Sequence, residues 1–316
     1  MRSITRTIAG TVLAAAVLGS GAIGAQAASA PISKASVQVH FDLSGGQMPE
    51  NVVLDRNGSV DVTFAGSRQV ARIDSQGVTH VLATLPAPKD TEAKTPVLGF
   101  PLATGLVRDG DTFYVAYATG TKAENGIWKF TEGQAPHKMA DLPASGLPNG
   151  LTMNRATGVL YVTDSVGGAV YSVTPAGEVK VFGQGEELAA TGLLGVNGAK
   201  IRGQRLYVTN LDQGTVLSSP LTGAGAGTFT TVATGLTGID DFAFTGRGNQ
   251  FLATINPSNE VVLVSGKGTK KTVLTKDDGL SNPTSVAVRG TTVYVPSAAY
   301  TTQKDPNLLV AHLARH

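Results

Sequence analysis

Apolar and polar positions alternate in short runs along this chain, and the runs return in groups. A polar residue opens each group, alternating apolar residues follow, a tight turn intervenes, and an aromatic-valine strand comes next. The clearest copies are Asn149-Gly150-Leu151-Thr152-Met153 leading to Leu160-Tyr161-Val162-Thr163-Asp164, and Asn197-Gly198-Ala199-Lys200-Ile201 leading to Leu206-Tyr207-Val208-Thr209-Asn210. Weaker copies open at Glu50, Thr104, Asp240 and Thr284, so successive openings lie 54, 45, 48, 43 and 44 residues apart. Strand-like units at that period predict an all-β fold, a six-bladed β-propeller of four-stranded antiparallel blades.

The third group shows the predicted blade most plainly. Its inner strand covers 150–154, its second strand 159–164, its third 169–173 and its outer strand 178–182, with Gly and Pro in the turns between. The last group supplies only three strands, 285–289, 292–297 and 307–313. Its fourth is predicted at 37–41, the alternating Val37-Gln38-Val39-His40-Phe41, which would close the ring and remove an exposed sheet edge. No helical period follows the first residues, so 28–316 reads as one propeller domain. Four segments exceed the repeat, at 86–100, 119–125, 183–196 and 299–306. Strand counting puts all four at one mouth of the channel, over the openings of the inner strands, where a small-molecule partner is expected.

Residues 1–27 have the character of a secretory signal. Arg2 and Arg6 precede an apolar run at 8–23, and Ala25-Gln26-Ala27 offers a small-residue cleavage site. The expectation is a secreted protein cleaved after Ala27, with no membrane anchor. Beyond that segment 23 basic residues balance 23 acidic ones, which leaves no electrostatic footprint for nucleic acid. The absence of cysteine rules out disulfides and thiolate metal sites. No Gly-x-Ser-x-Gly elbow occurs, and the five scattered histidines suggest no histidine metal set.

Candidate chemistry therefore rests on the six opening positions, Glu50, Thr104, Asn149, Asn197, Asp240 and Thr284, which should converge at the channel mouth. Two carboxylates and two amide oxygens form a hard-oxygen set suited to calcium or magnesium, with manganese or zinc held more loosely. The competing interpretation is structural: Asn149-Gly150 and Asn197-Gly198 are ordinary turn dipeptides, and each position taken alone suits a strand cap.

Two phrases, Leu147-Pro148-Asn149-Gly150-Leu151 and Ile239-Asp240-Asp241-Phe242-Ala243, together with Leu160-Tyr161-Val162-Thr163-Asp164-Ser165, resemble the regucalcin/gluconolactonase family of six-bladed propellers. Around Pro49-Glu50-Asn51-Val52 the chain is also similar to strictosidine-synthase-like and NHL-type propellers. The resemblance implies a divalent cation held by Glu50, Asn197 and Asp240, with Asn149 contacting substrate; Thr104, as the neighbouring opening position, is expected to bind substrate too. It implies hydrolysis of a sugar lactone or related ester, with Asp240 as both ligand and base for the attacking water. Three departures stand out. Glu50 follows Pro49 instead of preceding it, Asp240 is followed by Asp241 instead of glycine, and no arginine precedes Asn149. The alternative is a non-catalytic secreted propeller that binds a ligand or protein at its loop-rich mouth. A Pictet-Spengler-type synthase ranks last, because its catalytic Glu has no counterpart that can be placed.

Overall fold

The computed structural model describes residues 31–55, 57–90 and 94–314. The proposed signal segment 1–27 lies outside them. Among the described residues every sheet has four antiparallel strands, and there are six sheets. Five blades run in simple order from inner to outer strand. The sixth is completed by the chain's own beginning, because Ile32–His40 pairs with Asn307–Leu313. That closing strand starts five residues earlier than its alternation suggested. A single 3-10 turn, Lys276–Asp278, is the one helical element among the described residues, and no helix is long and apolar enough to cross a membrane.

The second strands show why the repeat is so legible. Val60–Phe64 and Phe251–Ile255 are buried at every position, because each is flanked by strands of its own blade and covered by both neighbouring blades. Six apolar clusters fill the six blade-to-blade interfaces. Trp128 belongs to the cluster between blades 1 and 2, edge-on to Tyr117 with ring centroids 6.1 Å apart. Outer strands are half exposed, as in Val179–Gln184, so alternation marks their ends weakly and this strand runs to 184 instead of 182.

The inner strands are Pro49–Leu54, Leu102–Asp109, Pro148–Asn154, Val196–Arg202, Ile239–Phe244 and Ala287–Arg289. In the first five the pairing register slips across the opening residue, for example between Pro148 and Leu151 and between Val196 and Ala199. A bulge of this kind turns a side chain out of the regular alternation, here toward the channel. Asn149-Gly150 and Asn197-Gly198 are thus bulged strand residues and not turns. Glycine is required because the inner strands nearly touch: a Cβ on Gly150 would lie 2.3 Å from the Asn197 carbonyl oxygen.

Buried hydroxyls tie the inner strands into a ring. Thr63 donates to Thr104 O at 2.6 Å, Thr209 donates to Asp240 O at 2.7 Å, and Thr163 donates to Asn197 O. Each also accepts from a backbone N–H of its own inner strand, at Asn51, Gly198 and Gly150. In blades 2 and 6 the hydroxyl has moved to the opening position. Thr104 donates toward Pro148 O at 2.9 Å and Thr284 toward Pro49 O at 2.9 Å. Ser285 completes the circle by donating to Asp241 Oδ2 at 2.7 Å.

Candidate functional site

The bulges bring Glu50, Asn149, Asn197 and Asp240 to one end of the channel, where all four are buried. Asp240 is held from two sides. Asn197 Nδ2 donates to its Oδ1 at 3.1 Å, and Asn256 Nδ2 donates to its Oδ2 at 3.0 Å. Glu50 accepts from the Tyr300 phenol at 2.6 Å, and Asn149 Nδ2 donates to Ser165 Oγ at 3.2 Å. Thr104 and Thr284, the other two opening residues, have their hydroxyl protons engaged by the backbone carbonyls that join blades. The opening positions therefore divide into four that present polar side chains and two that fasten the scaffold.

Burial governs the charge state of the two carboxyls. It raises Glu50 to about 7, against the opposing Tyr300 hydrogen bond, and the charge of Asp241 adds to the rise. Asp240 is pushed well above the usual carboxylate range, first by burial and then by the charges of Glu50 and Asp241; the Asn256 and Asn197 amides only partly offset this. The Tyr300 phenol is likewise pushed up by burial and by Glu50. Asp241 has a separate place. Its Oδ2 meets Lys200 Nζ at 2.5 Å and the Ser285 hydroxyl, while its buried Oδ1 has no hydrogen-bond partner.

Tyr300 and Asn256 were not foreseen. Tyr300 sits in the 299–306 insertion, which Asn282 anchors by accepting from Thr301 N at 2.8 Å and Thr302 N at 3.0 Å. Asn256 had a readable signal. It directly follows the second strand of blade 5, as Ser165 follows that of blade 3, and each touches the opening side chain of its own blade.

Three of the four insertions share an apolar cluster above the ring, contributing Leu98 and Phe100, Leu194, and Tyr300. The loops are fastened by polar side chains: Thr95 donates to Phe100 O at 2.7 Å, and Asn210 donates to Glu187 O at 3.1 Å and Ala189 O at 3.0 Å. A cavity of about 700 Å³ opens toward the far ends of the inner strands, with Asn51, Leu106, Thr152 and Lys200 among its walls. Neither Glu50 nor Asp240 lines it. Its cations Lys200, Arg108 and Arg155 each face a carboxylate.

No protein-family model matches the chain, and no curated protein matches it either. Solved structures do. A gluconolactonase from Xanthomonas campestris is 14% identical, with a TM-score of 0.62 over 90% of this chain and 97% of that one. The PQQ-bound aldose sugar dehydrogenase of Streptomyces coelicolor is 14% identical, with a TM-score of 0.64 over 90% and 100%. An inactive virginiamycin B lyase from Staphylococcus aureus, solved with quinupristin, is 15% identical, with a TM-score of 0.59 over 85% and 82%. The likeness to gluconolactonase propellers carried by the repeat phrases is thus present in three dimensions, and at these identities what the chain shares with them is the six-bladed propeller fold.

Proposed function

We propose that the protein hydrolyses a lactone or related ester at the loop-rich end of its channel, with a divalent cation, calcium in first place. The observation that carries this reading is the pair of buried carboxyls, Glu50 and Asp240: the charge of Glu50 acts on Asp240, that of Asp241 acts on both, and the Asn197 amide bonds Asp240. Desolvated carboxylates whose charges repel are unfavourable without a counter-charge, which favours a cation at this end of the channel. The donor set fits. Carboxylate and amide oxygens are hard ligands suited to calcium or magnesium, and less so to manganese or zinc. Among the described residues no group of three His, Cys, Asp or Glu could hold a metal. The cation would therefore rest on Glu50, Asn197 and Asp240, with water completing its shell. When bound, such a cation supplies Lewis acidity toward an ester carbonyl and acidifies water.

The chain's own residues account for the rest of the reaction. Asp240 is oriented by two amide donors, and each carboxylate oxygen keeps a lone pair, so it can take the proton from an attacking water. Tyr300 holds one oxygen of Glu50 and leaves the other free. Asn149 has one N–H on Ser165 and keeps a second N–H and its carbonyl oxygen for substrate. Thr104, with its proton engaged, could meet a substrate only as an acceptor. The signal-like segment 1–27 supports action outside the cytoplasm.

Calorimetric titration of calcium into the chelator-treated protein tests the reading. One-to-one binding is expected, weakened at least tenfold in Asp240→Asn. No heat with calcium, magnesium, manganese or zinc would sink it and leave a non-catalytic binding propeller.

A further inference from the structure

The polar ring forms only the floor of the site; the walls above it are apolar. Met48, Leu98, Phe100, Val166 and Tyr300 are all half-buried, and all pack in the cluster at this end of the channel. They come from blades 1, 2, 3 and 6, and Tyr300 reaches the ring itself through its bond to Glu50. Two of the chain's most exposed large apolar side chains stand on the same loops, Val97 at 51% and Leu193 at 54%. Val97 has φ of 68°, which is strained for a β-branched residue, and its loop is pinned around it by Thr95 and the Gly99 N–H.

Polar side chains are present at this face, and several are engaged in shaping the loops, although Arg68 Nε, in the hairpin beside Ala65, is buried without a hydrogen-bond partner. Asn282 Oδ1 takes the Thr301 and Thr302 N–H groups, and Asn210 Nδ2 bonds Glu187 O and Ala189 O. Asp164 Oδ1 accepts from Leu147 N, Val166 N and Gly167 N, and the Ser165 hydroxyl donates to Val196 O. A polyhydroxylated ligand would find few free partners above the floor, and its hydroxyls would be desolvated against hydrocarbon. A ligand with one polar carbonyl end and an apolar remainder matches both layers.

Resting on the hydrolase reading above, we infer that the substrate is a lactone or ester carrying an alkyl or aryl substituent, and not a polyhydroxylated sugar lactone. The ester carbonyl lies on the floor formed by Glu50, Asn149, Asn197 and Asp240, and the substituent lies against Leu98, Phe100 and their neighbours.

The test is kcat/KM of the purified protein in calcium for γ-butyrolactone, γ-hexalactone, γ-octalactone and γ-decalactone, beside glucono-δ-lactone. Binding of 2-heptylcyclopentanone, which has the carbonyl and chain but no ester, is measured alongside by calorimetry. Each added methylene should raise kcat/KM about two- to fourfold. Phe100→Ser and, separately, Leu98→Ser should flatten the rise and weaken ketone binding. A flat series, or a preference for glucono-δ-lactone, overturns the inference and leaves the hydrolase reading standing. Ketone binding that weakens in both variants, with no lactone hydrolysed, keeps the apolar ligand and removes the hydrolase. Neither binding nor hydrolysis removes both.

Discussion

Glu50→Gln should make the cation-free protein more stable at pH 8, a result that follows from burial and not from any lost contact. The folded carboxyl titrates at about 7, against 4.5 for the unperturbed group. Between those values the folded chain binds a proton that the unfolded chain does not, so stability falls as pH rises and levels off above about 7. At 1.36 kcal/mol per unit, the difference of roughly 2.5 units amounts to about 3 kcal/mol. Glutamine copies the neutral carboxyl and still accepts from Tyr300, so the variant escapes that loss. Wild type and variant should differ little at pH 4.5 and separate by about 3 kcal/mol at pH 8. Urea unfolding in chelator, followed by the fluorescence of the single tryptophan, Trp128, measures this. With an m-value on the order of 3 kcal/mol/M, the midpoints should part by about 1 M. Calcium at pH 8 should raise the wild type and close the gap. Parallel stability curves from pH 4.5 to 8 would refute the claim that burial controls Glu50.

Two further substitutions probe the ring that carries the site. Gly150→Ala places a Cβ 2.3 Å from Asn197 O and should cost about 2–3 kcal/mol in urea unfolding; a loss below 0.5 kcal/mol, by the same measure as surface changes, would show that the inner strands are not in tight contact. Thr209→Val keeps the shape but strands Gly198 N and Asp240 O, each bonded at 2.7 Å, so it should cost about 2–3 kcal/mol and weaken calcium binding as Asp240 shifts.

The fold was legible because burial repeats. Second strands such as Val159–Asp164 and Thr292–Ser297 match their sequence bounds, since apolar residues are demanded on both faces. The sixth inner strand was less clear. It begins at Ala287, two residues late, because Pro283 makes only an isolated bridge to Ser297 and lacks an N–H to extend the ladder. The Asn-Gly dipeptides look like turns in sequence, since nothing local distinguishes a glycine needed for positive φ from one needed for close approach. Only the neighbouring strand at Asn197 O reveals which applies.

The site was half legible for a related reason. A repeat fixes where an opening residue lies, but its partner can come from inside or outside the repeat. In blades 3 and 5 the residue after the second strand, Ser165 or Asn256, steadies the opening side chain, so alignment alone finds both. Blade 1 has Ala65 at that position, which offers no polar atom to Glu50. The partner comes instead from Tyr300, 250 residues away and inside an insertion. Blade 4 has Leu211 there, which joins the apolar wall, and Asn197 turns to Asp240 of the next blade. The two carboxyls are therefore controlled by different means. Asp240 is fixed by the scaffold through Asn197 and Asn256, whereas Glu50 is fixed by a loop that also builds the wall. A change in the 299–306 loop should alter Glu50 and the apolar wall together and leave Asp240 in place, which couples what the site can hold to how its first ligand is aimed.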